Sequence, residues 1–402
     1  MAESPVLIVG GGLGGLTLSL CLAKIGISSK VFERRSQLSE NGAGIQLSPN
    51  CLRVYDHLGM VSAITEIAHE PSHIEFREWR RNRILSKLDL SDFREKLGFP
   101  YFTVHRGQLI DLLLSRVLKS ESIELYLDRE VEHFSSDENG VQIQTGEDVV
   151  HGSLLVGADG IRSTIRSELF GLDDPTFTGH VAWRALIPIE RLPQASKEIG
   201  SRVWWGPGKH LVTYPVQCGS VLNCVAVVEN KAWAFESWHE PGELGELLKE
   251  FSGWNSDVLE IIQSISNNDL YKWGLFSRNT LKNWSKDRVV LLGDACHAPL
   301  PFMAQGAAMA IEDAACLSYC LDHGLDYGDS FGKFEALRKA RTQKVLTMSA
   351  RNGRVFHLSG LAAMLRNVAL KFYEPRFNDF LYGYNVFSVM DGPGRCGVKI
   401  YE

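Results

Sequence analysis

The apolar positions of the chain fall into short unbroken runs at its two ends and into alternating patterns in its middle. VLIVG, Val6 to Gly10, is a fully apolar run of strand length, the pattern of a central parallel strand covered on both faces. A helix is predicted from about Gly14 to Ile25. SKVFERR, Ser29 to Arg35, then reads as a second strand, which completes a βαβ unit. RGQLIDLLLSRVLK predicts a helix within His105 to Lys119, and ELYLDREVEHFSS and GVQIQTG alternate as antiparallel strands do. GSLLVGADG, Gly152 to Gly160, and RVVLLGDA, ending near Asp294, are two more buried strands that run into turns. Between Thr178 and about Trp273 the texture changes. VAWRALIPI, RVWWGPGKHLVTYPV and SVLNCVAVVE are strand-like, rich in Val and Trp, and predict a mostly antiparallel sheet with one helix embedded in it. From Asp329 onward the pattern is helical, most periodic between Val355 and Phe372.

The chain has 402 residues, enough for two or three domains at about 150 residues each. No linker or repeat separates these textures, so the domains are expected to interleave. The net charge of −6, with scattered basic residues, gives no sign of a nucleic-acid partner. The one dense basic cluster, Arg77 to Arg83, is expected to be a solvated strand-turn. None of the eight cysteines forms a CxxC pair or a zinc spacing, so no metal is expected and a reduced, cytoplasmic chain fits best. The apolar run from Pro5 to Ala23 lacks a basic lead and is broken by GGGLGG, unlike a signal peptide. No apolar run approaches the roughly 20 residues of a membrane span, and no stable membrane association is expected.

Gly10, Gly12 and Gly15 form GxGxxG between a strand and a helix. The first glycine permits a tight turn, the second lets the backbone approach a pyrophosphate, and the third lets the helix pack on the sheet. Helix N-terminal N–H groups then face the anion. Glu33 lies about 20 residues further on, at the end of the second strand, where a carboxylate accepts hydrogen bonds from an adenosine ribose. An acid there favours an unphosphorylated ribose; Arg34 beside it would suit a phosphorylated one.

Two further motifs, VGADGIRSTIR at Val156 to Arg166 and LLGDACHAPLPFMAQGAAMAIEDA around Asp294, complete a three-part set with the glycine loop. Together they resemble the signature of FAD-dependent aromatic hydroxylases, the single-component flavoprotein monooxygenases. GAGIQLSPN, YFTVHRGQL, GHVAWRALIP and WWGPGKHLVTYP are similar to the salicylate hydroxylase, 3-hydroxybenzoate 6-hydroxylase and 6-hydroxynicotinate 3-monooxygenase group. The resemblance implies an α/β fold: a Rossmann-like FAD-binding domain (1–70, 100–177, 274–345), an interleaved, mostly antiparallel substrate-binding sheet (71–99, 178–273), and C-terminal helices (346–402). It implies that Asp294 bonds the ribityl chain, that Asp159 lies by the flavin, and that Arg106 lies along the FAD. Gly42, Ala43 and Gly44 would admit the isoalloxazine. Gln305, Gly306 and Ala307 open a helix whose N–H groups would face the flavin's pyrimidine edge, where a positive dipole end suits reduced flavin. His297, three residues after Asp294, reads at least as well as a structural or helix-capping residue as it does as a catalytic one. His210 and Tyr214, four apart on a strand, can share one pocket wall. By resemblance they contact or deprotonate the substrate hydroxyl, since a phenolate is far more nucleophilic than a phenol. Trp183, Arg184, Trp204 and Trp205 are expected near the substrate sheet.

The implied activity is hydroxylation of a small hydroxylated aromatic acid by O2, through a C4a-hydroperoxyflavin, with NADH or NADPH as reductant and without a second nucleotide fold. A homodimer is compatible with it. The chain departs from its group at Gln46 and Phe302, where the 6-hydroxynicotinate enzymes place histidines, and at Pro301, where the 3-hydroxybenzoate enzymes have glutamine. PFMAQGAAM replaces the PHQGAGAGQ more usual in salicylate enzymes. Other readings stay open on the same motifs: an N-heteroaromatic substrate, a non-oxygenating flavin dehydrogenase, or a flavin-binding regulator.

Overall fold

Six strands make a sheet in the order Ser285–Lys286, Val289–Leu291, Leu154–Gly157, Val6–Val9, Ser29–Phe32, Ile123–Tyr126. All neighbours are parallel except the first pair. This computed structural model describes residues 4–38, 44–172, 174–194, 200–230, 240–370 and 377–390. The inner strands are apolar throughout because helices cover both faces: Val6, Leu7, Ile8, Leu154, Leu155, Val156, Val289, Val290 and Leu291 are all buried. Fully burying each such side chain contributes about 1.5–3 kcal/mol. Helices Leu13–Lys24, Arg106–Val117 and Gly306–His323 close the same core.

The second sheet has eight strands, in the order Glu240–Pro241, Tyr271–Ser277, Thr176–Pro188, Val221–Glu229, Lys209–Val216, Ser201–Gly206, His73–Glu78, Ile84–Asp89. Pairing is antiparallel except between Ser201–Gly206 and His73–Glu78. The Arg77 to Arg83 cluster is indeed a strand-turn, connecting the last two strands. Alternation gives the sheet two apolar faces. Trp183, Trp204, Leu211 and Val228 pack under the short helices Leu244–Glu250 and Ser256–Gln263. Ala182, Val203, Trp205, Val227 and Trp273 face Phe302, Met309, Val345 and Phe356 of the helical side. This second face also carries His210, Tyr214 and Arg184.

Two elements differ from the sequence pattern. Helix Tyr327–Phe356 runs unbroken through the 345/346 boundary. The periodic stretch from Val355 to Phe372 is not one helix: the chain leaves the helix at His357 and restarts as Gly360–Ala369, with Gly360 at φ +54°. Periodicity registers apolar spacing, whereas the break is set by a capping turn at His357 to Gly360.

Candidate functional site

The parallel sheet removes the sequence distance between the three motifs. Val9 pairs with Gly157, and Gly157 with Leu291. The turns after these strands, carrying Gly10, Asp159 and Asp294, therefore lie side by side at the carboxyl edge, where such sheets bind ligands.

Each glycine of the loop has a separate reason. Gly10 has φ +110°, and a Cβ there would lie 2.3 Å from the carbonyl oxygen of Ala158. A Cβ on Gly15 would lie 2.0 Å from the carbonyl oxygen of Gly10, so the helix rests directly on the strand. Gly12 is the N-cap of helix Leu13–Lys24, and a Cβ on it would meet nothing within 4 Å. No side chain caps this helix, so its first N–H groups are left without a side-chain acceptor. Glu33 is braced beside the loop: one carboxylate oxygen accepts from Gly11 N–H at 2.9 Å, the other from Arg35 N–H at 3.1 Å. Each oxygen keeps acceptor capacity for a further donor. Arg34 is exposed beside it.

Asp159 Oδ2 accepts from Ile165 N–H at 3.2 Å, while its Oδ1 is buried with no hydrogen-bond partner among the described residues. Burial raises its carboxyl pKa, opposed by hydrogen bonds from Ser163 and the following backbone. Asp294 is exposed by surface area, yet desolvation raises its pKa too. The two facts agree if the carboxylate is reached by solvent from one direction and ringed by protein elsewhere. The charges of His297 and Arg106 pull the other way, which places Arg106 within electrostatic reach. Arg106 opens helix Arg106–Val117 directly after strand Phe102–His105, whose partner strand begins at Gly44. Gly42 and Ala43 lie outside the described residues.

Gln305 is the N-cap of helix Gly306–His323, and its side chain turns into the protein. Its Nε2 donates to Ser48 Oγ at 3.1 Å, and its Oε1 accepts from Asn50 at 3.0 Å. With the amide so engaged, the backbone N–H groups of Gly306 and Ala307 at the start of the helix are the candidates to face a ligand. Behind them lies a buried ionic network. Asn50 donates to Glu312 at 2.7 Å; Arg341 binds both Glu312 oxygens at 2.8 Å; Arg338 reaches Glu312 at 2.7 Å and Asp313 at 2.6 Å. Asp313 also accepts from Gly293 N–H at 3.1 Å and bonds His297 Nε2 at 2.5 Å. Burial alone would lower the His297 pKa, but the charge of Asp313 holds it well above the usual histidine value. Through Asp313, His297 is tied to Gly293 at the turn bearing Asp294. The sequence reading missed Asn50, Glu312, Asp313, Arg338 and Arg341. The available signal was an acidic pair inside the apolar AIEDAA segment, since buried charges need partners.

On the second sheet His210, Val212 and Tyr214 share one face, as alternation requires. His210 packs edge-on against Phe302 and Phe356, with ring centroids 5.5 Å away in each case. Burial, then His357 and His180, push its pKa well below the ordinary value, so it is neutral. Tyr214 is pushed up to about 12 by burial, with the charge of Arg184 opposing, and stays protonated. A Cβ on Gly44 would lie 2.6 Å from the Tyr214 ring, and Gly44 N–H donates to Asn223 Oδ1 at 2.9 Å. The Gly44 segment therefore meets the sheet at Tyr214. Tyr101 donates to Gln46 on the same strand as Gly44. Arg184 lies over the Trp273 ring at 4.7 Å on the Tyr214 face, and Trp205 stacks on Phe356 at 4.5 Å. Trp183 and Trp204 belong to the opposite face.

The residues fit a bound dinucleotide: a Cβ on Gly12 would meet no described protein atom within 4 Å, and the buried Asp159 Oδ1 has no hydrogen-bond partner among the described residues. Comparison with known proteins identifies it. Residues 3–349 match the FAD binding domain family. The chain is 34% identical over 389 residues to 3-hydroxybenzoate 6-hydroxylase 1 of Aquipseudomonas alcaligenes, covering 94% of this chain and 97% of that one. It is 32% identical over 394 residues to 3-amino-4-hydroxybenzoate 2-monooxygenase of Streptomyces platensis, covering 96% and 97%. Its fold matches a salicylate hydroxylase substrate complex with a TM-score of 0.83 at 23% identity, over 97% and 98% of the two chains. The chain belongs to the FAD-dependent aromatic hydroxylases, the single-component flavoprotein monooxygenases.

Proposed function

We propose that the protein hydroxylates the ring of a small phenolic acid, using FAD, O2 and NADH or NADPH. The observation that carries this reading is the contact of Gly44 with Tyr214 and Asn223, which joins the cofactor side to a sheet face bearing His210, Tyr214 and Arg184. Gly10, Gly12, Gly15, Glu33 and Arg106 would hold the nucleotide part of FAD. Asp159, Asp294, Gly44 and the N–H groups from Gln305 to Ala307 would hold the flavin part. When bound, FAD takes electrons from NAD(P)H and activates O2; one oxygen atom enters the ring and the other leaves as water.

The chain's own residues then have distinct tasks. Arg184 would take the substrate carboxylate. Neutral His210 can accept the phenolic proton. Tyr214, kept protonated, can donate a hydrogen bond to the resulting phenolate oxygen. Phe302, Met309, Val225 and Val227 exclude water from the reacting centre. The positive end of helix Gly306–His323 would suit negative charge on a reduced flavin held at its N-terminus. Cytoplasmic residence completes the reading, in keeping with free thiols at all described cysteines, and a homodimer is compatible with it.

The test is a panel of 3-hydroxybenzoate, 3-amino-4-hydroxybenzoate, salicylate and 6-hydroxynicotinate. At least one is expected to perturb the flavin absorbance and to stimulate aerobic NAD(P)H oxidation tenfold or more. Oxidation that no member stimulates, or that runs equally well without O2 on an artificial acceptor, would overturn the proposal.

A further inference from the structure

His210 does not end at the pocket wall. Its Nδ1 lies 2.8 Å from His357 Nε2, and His357 Nδ1 lies 3.1 Å from Glu229 Oε1. His210 and His357 are buried, whereas the Glu229 side chain is half exposed. Three hydrogen-bonding groups from two strands and a helix end thus form a line from the substrate face to solvent. The line is held by backbone as well. Gly208 N–H donates to the His357 carbonyl at 3.1 Å, and Glu229 N–H donates to the Gly208 carbonyl at 2.9 Å. The tight turn between two sheet strands, with Gly208 at φ +65°, therefore fixes both outer members relative to His210.

We propose that Glu229 and His357 set the tautomer of His210 and carry its proton to and from solvent. The logic is one of donors and acceptors. An ionised carboxylate can only accept, so His357 must carry its proton on Nδ1. Its Nε2 is then an acceptor, so His210 must carry its proton on Nδ1. That leaves His210 Nε2 with a free lone pair, and among the described residues it makes no hydrogen bond. An acid at the protein surface thereby dictates that the buried imidazole accepts a proton and does not donate one.

This rests on the phenolic-acid reading above. When the substrate O–H breaks, its proton forms a bond to His210 Nε2. The Nδ1 proton of His210 passes to His357 Nε2, the Nδ1 proton of His357 passes to Glu229, and the carboxyl releases it to water. No positive charge remains on the two buried imidazoles, and the negative charge stays on the phenolate oxygen, where Tyr214 can donate to it. This matters because a histidine flanked by Phe302, Phe356 and two further imidazoles, His180 and His357, holds a positive charge poorly. Return of a proton along the same line, onto the product oxygen, restores both tautomers. His357 and Glu229 act through His210 and are positioning residues.

The test uses the full-length, FAD-loaded protein with Glu229→Gln, Glu229→Asp and, as an assignment control, His210→Gln. Glutamine can donate as well as accept, so it no longer dictates the tautomer. In protein labelled with 15N at histidine, both His210 and His357 are expected to be protonated at Nδ1 in the wild type. In E229Q they are expected to become mixtures, and in E229D to return. With the best substrate of the panel, kcat is expected to fall tenfold or more in E229Q with KM within twofold, and the pH–rate profile to change shape. E229D should restore much of both. Unchanged nitrogen signals, or an unchanged pH profile in a fully active E229Q, would overturn the relay. A wild type that no panel member stimulates would instead overturn the substrate reading, and the nitrogen signals would still decide the tautomer chain.

Discussion

The Cβ position of Gly15 lies 2.0 Å from the carbonyl oxygen of Gly10, whereas that of Gly12 meets no protein atom within 4 Å. The two glycines are therefore required for different reasons, and substitution separates them. Gly15→Ala must push the helix off the strand, an overpacking that costs about 1–3 kcal/mol and is expected to lower the melting temperature of the apoprotein. Gly12→Ala is expected to leave the apoprotein within about 1 kcal/mol of wild type. It should raise the FAD dissociation constant at least tenfold, about 1.4 kcal/mol, because the methyl occupies space the pyrophosphate needs. Thermal melts of apoprotein alongside flavin titrations check both.

The buried Asp313–His297 pair predicts a stability profile with two limbs. Burial would raise the Asp313 pKa, but His297 and Arg338 hold it at about 2. A depressed carboxyl contributes stability above its unfolded pKa, near 4, and loses it as pH falls toward 2; the contribution is about 2 kcal/mol. His297 is raised, so its contribution is full below about pH 6.5 and is lost as pH rises through its folded value. Melting temperature should therefore fall on both sides of a plateau, and His297→Gln should remove the alkaline limb. A wild-type profile that is flat above pH 7 would contradict this.

Arg341 binds Glu312 in a fully buried pair and also donates to the Phe380 and Leu381 carbonyls at 2.8 and 3.1 Å. Arg341→Met leaves a carboxylate short of its partner and is expected to destabilise by about 3–5 kcal/mol. Arg341→Met with Glu312→Gln should cost less than the sum of the two changes, measured by chemical denaturation.

Tyr214→Phe removes one hydroxyl from the pocket wall and is expected to retain FAD while kcat falls at least tenfold. Arg184→Gln is expected to raise KM at least tenfold for a carboxylated substrate and to leave that of a phenol without a carboxylate within about threefold, since a charge-assisted hydrogen bond contributes about 1.5–3 kcal/mol. Steady-state kinetics on matched substrate pairs separates the two roles.

The fold was legible because its signals are local. Apolar runs at Val6–Val9, Leu154–Gly157 and Val289–Leu291 have strand length, and each is followed by a turn residue whose chemistry is visible in the sequence. His210 and Tyr214 could be placed on one face by counting alternate positions. Partnerships made in space were not legible. Nothing local joins Glu312 to Arg341, or His210 to His357, which lie in different elements far apart in the chain. Nor did spacing show that the Gln305 amide would be consumed by Ser48 and Asn50. Composition said only that a buried charge must have a partner, not which.

The most direct measurement follows the oxygen. Wild-type protein loaded with FAD and supplied with NAD(P)H, 18O2 and the panel member that best stimulates oxidation should yield a product carrying one 18O atom on its ring. Stimulated NAD(P)H consumption whose only oxygen product is hydrogen peroxide, or a hydroxylated product labelled from water, would contradict the account.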